Sequence, residues 1–126
     1  MLTGYVVATI LGAAAGAAAA GAVKARTPKA YIVTEVDLTG DMAAFQRDYA
    51  AHVLATVEPF GGKYLARGGR VEGTEGEPPK GRIVISVFDS FEKAKAWRYS
   101  PAYMKIVGVR EREAKSRQFI VEGLPE

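Results

Sequence analysis

Residues 82–88 read Arg-Ile-Val-Ile-Ser-Val-Phe, a nearly unbroken run of β-branched side chains. Branching at Cβ crowds the preceding turn of a helix but suits the pleated surface of a strand. Side chains that stay apolar at successive positions, rather than alternating with polar ones, belong to a strand covered on both faces. The run therefore predicts a central strand, and the remaining chain has to supply its neighbours and its cover.

The flanking segments do so in a definite order. Ala30 to Asp37 is rich in β-formers and predicts a first strand. Asp41 is placed to cap a helix over Met42 to Phe60, where Met42, Phe45, Tyr49, Val53 and Val57 recur at helical spacing. Gly61-Gly62 ends it. Lys63 to Arg67 predicts a short strand, Gly68-Gly69 a turn, Arg70 to Gly73 a further extended piece and Glu75 to Gly81 a loop. After the central strand, Asp89 or Ser90 caps a helix to Tyr99. Pro101 opens another to about Lys115, and Gln118 to Val121 forms a closing strand. Strand, helix, two strands, two helices, strand is the split βαβ order of a ferredoxin-like α+β domain. Its helices cover one face of the sheet, and burying the other against a second copy gives a dimeric α+β barrel.

Residues 1–23 carry no charged side chain. As a helix they span about 34 Å at roughly 1.5 Å per residue, enough for a bilayer core of roughly 30 Å. This predicts a single transmembrane helix, followed by a basic linker over 24–29 and the folded domain over 30–123. A cleaved signal peptide is the rival reading, with Ala20-Gly21-Ala22 as its cleavage site, but a basic stretch at the start is missing. Lys24, Arg26 and Lys29 follow the segment, and the positive-inside rule places the domain on the cytoplasmic side of the inner membrane. Export to the periplasm is the alternative. Gly4, Ala8, Gly12, Gly16 and Ala20 recur every four residues, a small-residue stripe of the kind along which membrane helices pack.

The run Phe60-Gly61-Gly62-Lys63-Tyr64-Leu65-Ala66-Arg67-Gly68-Gly69 resembles the signature of the family known as domain of unknown function 1330. So do Val87 to Trp97, Ser100-Pro101-Ala102-Tyr103, Arg110 and Val121-Glu122-Gly123. The resemblance covers about Ala30 to Gly123. It implies a dimeric α+β barrel of ferredoxin-like subunits, and no agreed activity, substrate or cofactor.

The 126 residues include no cysteine and one histidine, with a net charge of +3. Disulfides and thiolate zinc sites are excluded, and no metal or cofactor is expected. No clustered basic face interleaved with aromatics points to nucleic acid. His52 has no acidic partner at local spacing to orient it as a base, and reads as structural or surface. Arg67, Arg82 and Arg110 are the candidate ligand-binding cations, because guanidinium forks carboxylates and phosphates. Arg67 stands beside Gly68-Gly69, whose amides are candidates for holding an anion, and Glu72 is a candidate ion-pair partner for one of the arginines. Trp97 and Tyr103 are candidate pocket walls, with core or interface packing as the alternative. The alternating charges from Lys105 to Arg117 read as a solvated helix face.

Two functions follow. One is a non-catalytic accessory subunit held in a larger membrane complex by its N-terminal helix. The other is a dimeric barrel that binds or transforms a small molecule.

Overall fold

The computed structural model describes residues 26–125. Strand β1 (Ala30–Leu38) leads into a helical rod made of α1 (Met42–Phe45), a π-helical turn (Gln46–Ala50), α2 (Ala51–Val57) and a 3-10 turn (Glu58–Phe60). Strands β2 (Lys63–Arg67) and β3 (Arg82–Phe88) follow, then α3 (Phe91–Arg98), α4 (Pro101–Met104), α5 (Val107–Glu113) and β4 (Ala114–Glu122). The sheet order is β2-β3-β1-β4 and every pairing is antiparallel. The domain is thus α+β with the ferredoxin-like strand order, and the β-branched run of residues 82–88 lies in its interior as expected.

The local signals act as their chemistry dictates. The Asp41 carboxylate accepts from the Ala44 N–H and the Ser90 hydroxyl from the Lys93 N–H, each satisfying a donor that a helix start leaves free. Ser100 caps α4 in the same way, with Pro101 in the first turn. Gly61 stops the rod at φ 75°, and its N–H closes on Glu58 O at 2.9 Å. Gly62 does more than punctuate a turn: a Cβ there would lie 2.5 Å from both Val57 and the Phe88 ring, so the strand approaches the core only because no side chain intervenes.

Three boundaries depart from expectation. Residues 70–73 form no strand and belong to one long loop from 68 to 81. The helix expected from Pro101 to Lys115 is broken between Met104 and Val107 and ends at Glu113. The closing strand starts at Ala114 rather than Gln118, because β1 offers pairing over its whole length, from Ala30 opposite Glu122 to Leu38 opposite Ala114. Lys115-Ser116-Arg117 carries no strong strand signal of its own; the ladder decides its conformation.

Alternation sets the two faces of the sheet. Ala30, Ile32, Thr34 and Val36 point towards the helices and are buried, while Tyr31, Val33 and Glu35 point away. The register carries Ser86 and Phe88 to the helix side and Ile83, Ile85 and Val87 to the bare side. Phe119 and Val121 share that bare side and are 47% and 45% exposed. Between sheet and helices, Ile32, Val57, Phe88 and Tyr103 are fully buried, each stabilising the fold by roughly 1.5–3 kcal/mol through the apolar surface removed from water.

Among the described residues, no helix is long and apolar enough to cross a membrane. The expected transmembrane helix over 1–23, with its stripe of Gly4, Ala8, Gly12, Gly16 and Ala20, lies outside the described residues.

Candidate functional site

A cleft opens between the helical rod and the covered face of the sheet. Ile32, Thr34 and Val36 of β1 with Val84 and Ser86 of β3 form one wall. Phe45, Tyr49, Val53 and Val57 of the rod form the other, with Trp97 of α3 closing the inner end. Tyr64, Arg67 and Arg82 complete the lining. Arg67 is exposed and Arg82 half-buried, so the cations stand at the rim and the aromatics inside. The free space is about 40 Å³, room for a few waters and far below the volume of a typical ligand site.

A bulge builds the rim. Tyr64 lies opposite Ser86 and Arg67 opposite Val84, with the register shifting between Tyr64 and Ala66. Residues three apart on a regular strand face opposite sides of the sheet. The extra residue brings Tyr64 and Arg67 to the same side, where the Arg67 guanidinium stacks 4.7 Å from the Tyr64 ring centroid. Arg67 Nη2 also donates to Ala50 O at 3.2 Å, on the last residue of the π-helical turn. Among the described residues neither Arg67 nor Arg82 forms an ion pair, and Glu72, the expected partner, forms none either. The Gly68 amide does not serve an anion, since it donates to Ile83 O at 3.0 Å.

The aromatic interior is hydrogen-bonded within itself. Trp97 Nε1 donates to Thr56 Oγ1 at 3.0 Å, and that hydroxyl donates to Val53 O at 2.6 Å. The Trp97 ring packs 4.2 Å from the Tyr103 ring and 5.6 Å from Phe88. The Tyr49 and Tyr103 hydroxyls share a buried hydrogen bond of 2.7 Å. Burial pushes the Tyr49 phenol well above its ordinary range, and the neighbouring Tyr103 adds to the shift while the Arg110 cation opposes it. Burial raises Tyr64 too, against the pull of Arg67. Both phenols therefore stay protonated near neutral pH.

Of the five candidate ligand-binding residues, Arg67, Arg82 and Trp97 meet at this cleft. Tyr103 does not line it: at 0% exposure it is a core side chain that lies behind the lining residues Tyr49 and Trp97. Arg110 is also elsewhere. The stretch from Lys105 to Arg117 is not wholly solvated: Val107 and Arg110, three apart on α5, are buried, as is Ala114 at the start of β4. That spacing was the available signal for Arg110. Tyr49 and Tyr64 also line the cleft, although the sequence marks Tyr49 only as part of a helix's apolar face and Tyr64 only within the family signature. His52 is exposed on α2, away from the cleft lining.

No curated protein matches the sequence. Solved structures share the fold. RPA0582 from Rhodopseudomonas palustris, a protein of unknown function, is 19% identical over 79% of this chain and 85% of its own, with a TM-score of 0.62. SnoaB, a cofactor-independent oxygenase from Streptomyces nogalater, is 12% identical over 75% of this chain and 92% of its own, with a TM-score of 0.55. A Caulobacter crescentus CB15 protein provisionally named an antibiotic biosynthesis monooxygenase is 10% identical over 79% of this chain and 93% of its own, also at 0.55. At such identities the likeness concerns the fold. The family model described as "Domain of unknown function (DUF1330)" matches residues 29–124. With about three-quarters of its length inside that match, and the strand order of an α+β barrel subunit, the chain belongs to the DUF1330 family.

Proposed function

We propose that this protein binds a small organic molecule in the cleft between helices and sheet, as a dimer of α+β barrel subunits. One observation carries the reading: an apolar, aromatic-lined cleft ends in two arginines, Arg67 and Arg82, that are not ion-paired among the described residues. Such a site suits a ligand with an apolar or aromatic body and an acidic oxygen at one end, the body meeting Trp97 and Val53 and the oxygen meeting guanidinium. The stacked pair Tyr64–Arg67 has to swing outward to admit it, since the closed cleft holds only a few waters.

Two of the structural relatives are described as oxygenases, which favours small-molecule chemistry in this fold over an accessory subunit, although fold alone does not fix function. The membrane-accessory reading rests on residues 1–23 and draws nothing from the described part. The bare sheet face supports the dimeric part of this reading, since Val33, Ile83, Ile85, Val87, Phe119 and Val121 lie on it together. The Glu35–Arg117 ion pair, 3.8 Å, lies within this face.

Thermal denaturation of the full chain with a panel of aromatic and aliphatic carboxylic acids tests the proposal. At least one acid is expected to raise the melting temperature of the wild type, and Arg67→Gln and Arg82→Gln are each expected to diminish that rise. Equal shifts in wild type and both variants would remove the cleft as the site.

A further inference from the structure

A second groove lies on the far side of the aromatic core, between the end of α3, helix α5 and the edge strand β4. Arg98, Arg110, Ser116 and Gln118 supply its polar lining, with Tyr99 and Ile120 beside them, and its free space is about 380 Å³. From its chemistry we infer that this groove is an oxyanion-binding site for a small carboxylate or phosphate.

The first observation is Arg110. It is 3% exposed, its Nη1 donates to Ser116 Oγ at 2.5 Å, and its buried Nε has no hydrogen-bond partner. Buried guanidinium groups are ordinarily matched by a carboxylate, because taking a cation out of water is costly unless an anion compensates. Among the described residues Arg110 is ion-paired with none, and what faces it is neutral: the Ser116 hydroxyl, the Tyr49 ring 6.0 Å away, and the phenol groups of Tyr49 and Tyr103.

The second observation is that another unpaired arginine lines the same groove. Arg98 Nε donates to Gln118 Oε1 at 2.6 Å and its guanidinium lies over the rings of Tyr103 and Tyr99 at 5.2 and 5.6 Å. Its Nη1 reaches only the Met104 sulfur, at 3.6 Å. Glu111 also lines the groove but is paired with neither arginine. Two cations held in one groove repel each other until an anion lies between them.

The neutral groups are oriented for the same task. Gln118 accepts from Arg98 and donates to Thr34 Oγ1 at 2.9 Å, so its amide is locked and holds Arg98 in place. Ser116 Oγ accepts from Arg110, which leaves its own proton to donate to an oxyanion. The groove thus offers guanidinium and hydroxyl donors in one place, the donor set that recognises carboxylate and phosphate. Tyr99, 67% exposed, adds a flat apolar surface for the remainder of such a ligand.

The test is calorimetric titration of the full-length chain with inorganic phosphate and with benzoate, each against sodium chloride at equal ionic strength. Saturable binding of one or both is expected; phosphate alone assigns the site to phosphate esters and benzoate alone to carboxylic acids. Arg98→Gln, a half-buried position, is expected to weaken that binding about tenfold or more. Arg110→Lys, which keeps the buried charge but not the fork, is expected to weaken it as well and serves if other changes at this position fail to fold. No binding above the chloride control, or binding unchanged in Arg98→Gln, overturns the inference. Binding that Arg67→Gln weakens and Arg98→Gln leaves unchanged belongs to the first cleft and overturns the inference, so failure of one site is distinguishable from failure of the other.

Discussion

Replacing either member of the buried tyrosine pair should reveal an asymmetry set by access to water. Tyr49 and Tyr103 share one hydrogen bond of 2.7 Å, but Tyr49 lines the cleft whereas Tyr103 is fully buried. In Tyr49→Phe the stranded Tyr103 hydroxyl has no route to solvent, and Arg110, the nearby cation, can donate to it but cannot accept its proton. A buried hydroxyl whose proton has no acceptor costs about 1–3 kcal/mol, so a loss of about 2 kcal/mol is expected. Tyr103→Phe instead strands Tyr49, whose hydroxyl can be served by water in the cleft, and only the net value of the bond, about 1 kcal/mol, is lost. Since 1 kcal/mol moves the midpoint of a domain of roughly 100 residues by about 4–8 °C, thermal or urea denaturation of the four proteins of a double-mutant cycle resolves the difference. The double variant should lose about 1 kcal/mol or less, well under the sum, because the hydroxyl that each single change strands is then absent. Additive losses, or a larger loss in Tyr103→Phe, would refute the reasoning.

Acid should destabilise the fold through Glu113, whose carboxylate accepts from the Asp41 N–H at 2.9 Å and from Arg112 at 2.8 Å and is thereby held below its ordinary value of 4.5. A depressed carboxylate stabilises the fold above the unfolded value and loses that contribution as pH falls through the folded one, so Glu113→Gln should flatten the acid limb of a stability–pH curve. Tyr49 acts at the other end: its raised phenol leaves stability intact below the unfolded value of 10.0 and erodes it above, and Tyr49→Phe should soften the alkaline limb. Gly62→Ala should cost about 1–3 kcal/mol in urea denaturation because the added methyl meets Val57 and Phe88, whereas Gly69→Ala, with no atom within 4 Å of its Cβ position, should be close to neutral. Ile85→Lys, at the middle of the bare sheet face opposite Val33, should convert a dimer to a folded monomer in light scattering; a persistent dimer would place the interface elsewhere.

Much of the scaffold is legible in the chain because its signals are local. The caps at Asp41, Ser90 and Ser100, the stop at Gly61 and the β-branched run of residues 82–88 each act within a few residues of themselves. Their order along the chain suffices for an α+β domain with one covered sheet face. The candidate site is less legible. Arg67, Arg82 and Trp97 could be picked out by residue type, but their meeting depends on a bulge that turns Tyr64 and Arg67 to one side.

Tertiary structure decided what depends on distant partners. The closing strand begins at Ala114 because β1, more than seventy residues earlier, offers it a ladder. Tyr49 bonds Tyr103 across 54 residues. Arg110 sits in a run of alternating charge that reads as solvated, yet packing of α5 against the sheet buries it without a carboxylate. Composition and periodicity report what a segment prefers by itself; which cation ends up dry, and which hydroxyl it faces, is settled only when elements far apart in the chain are pressed together.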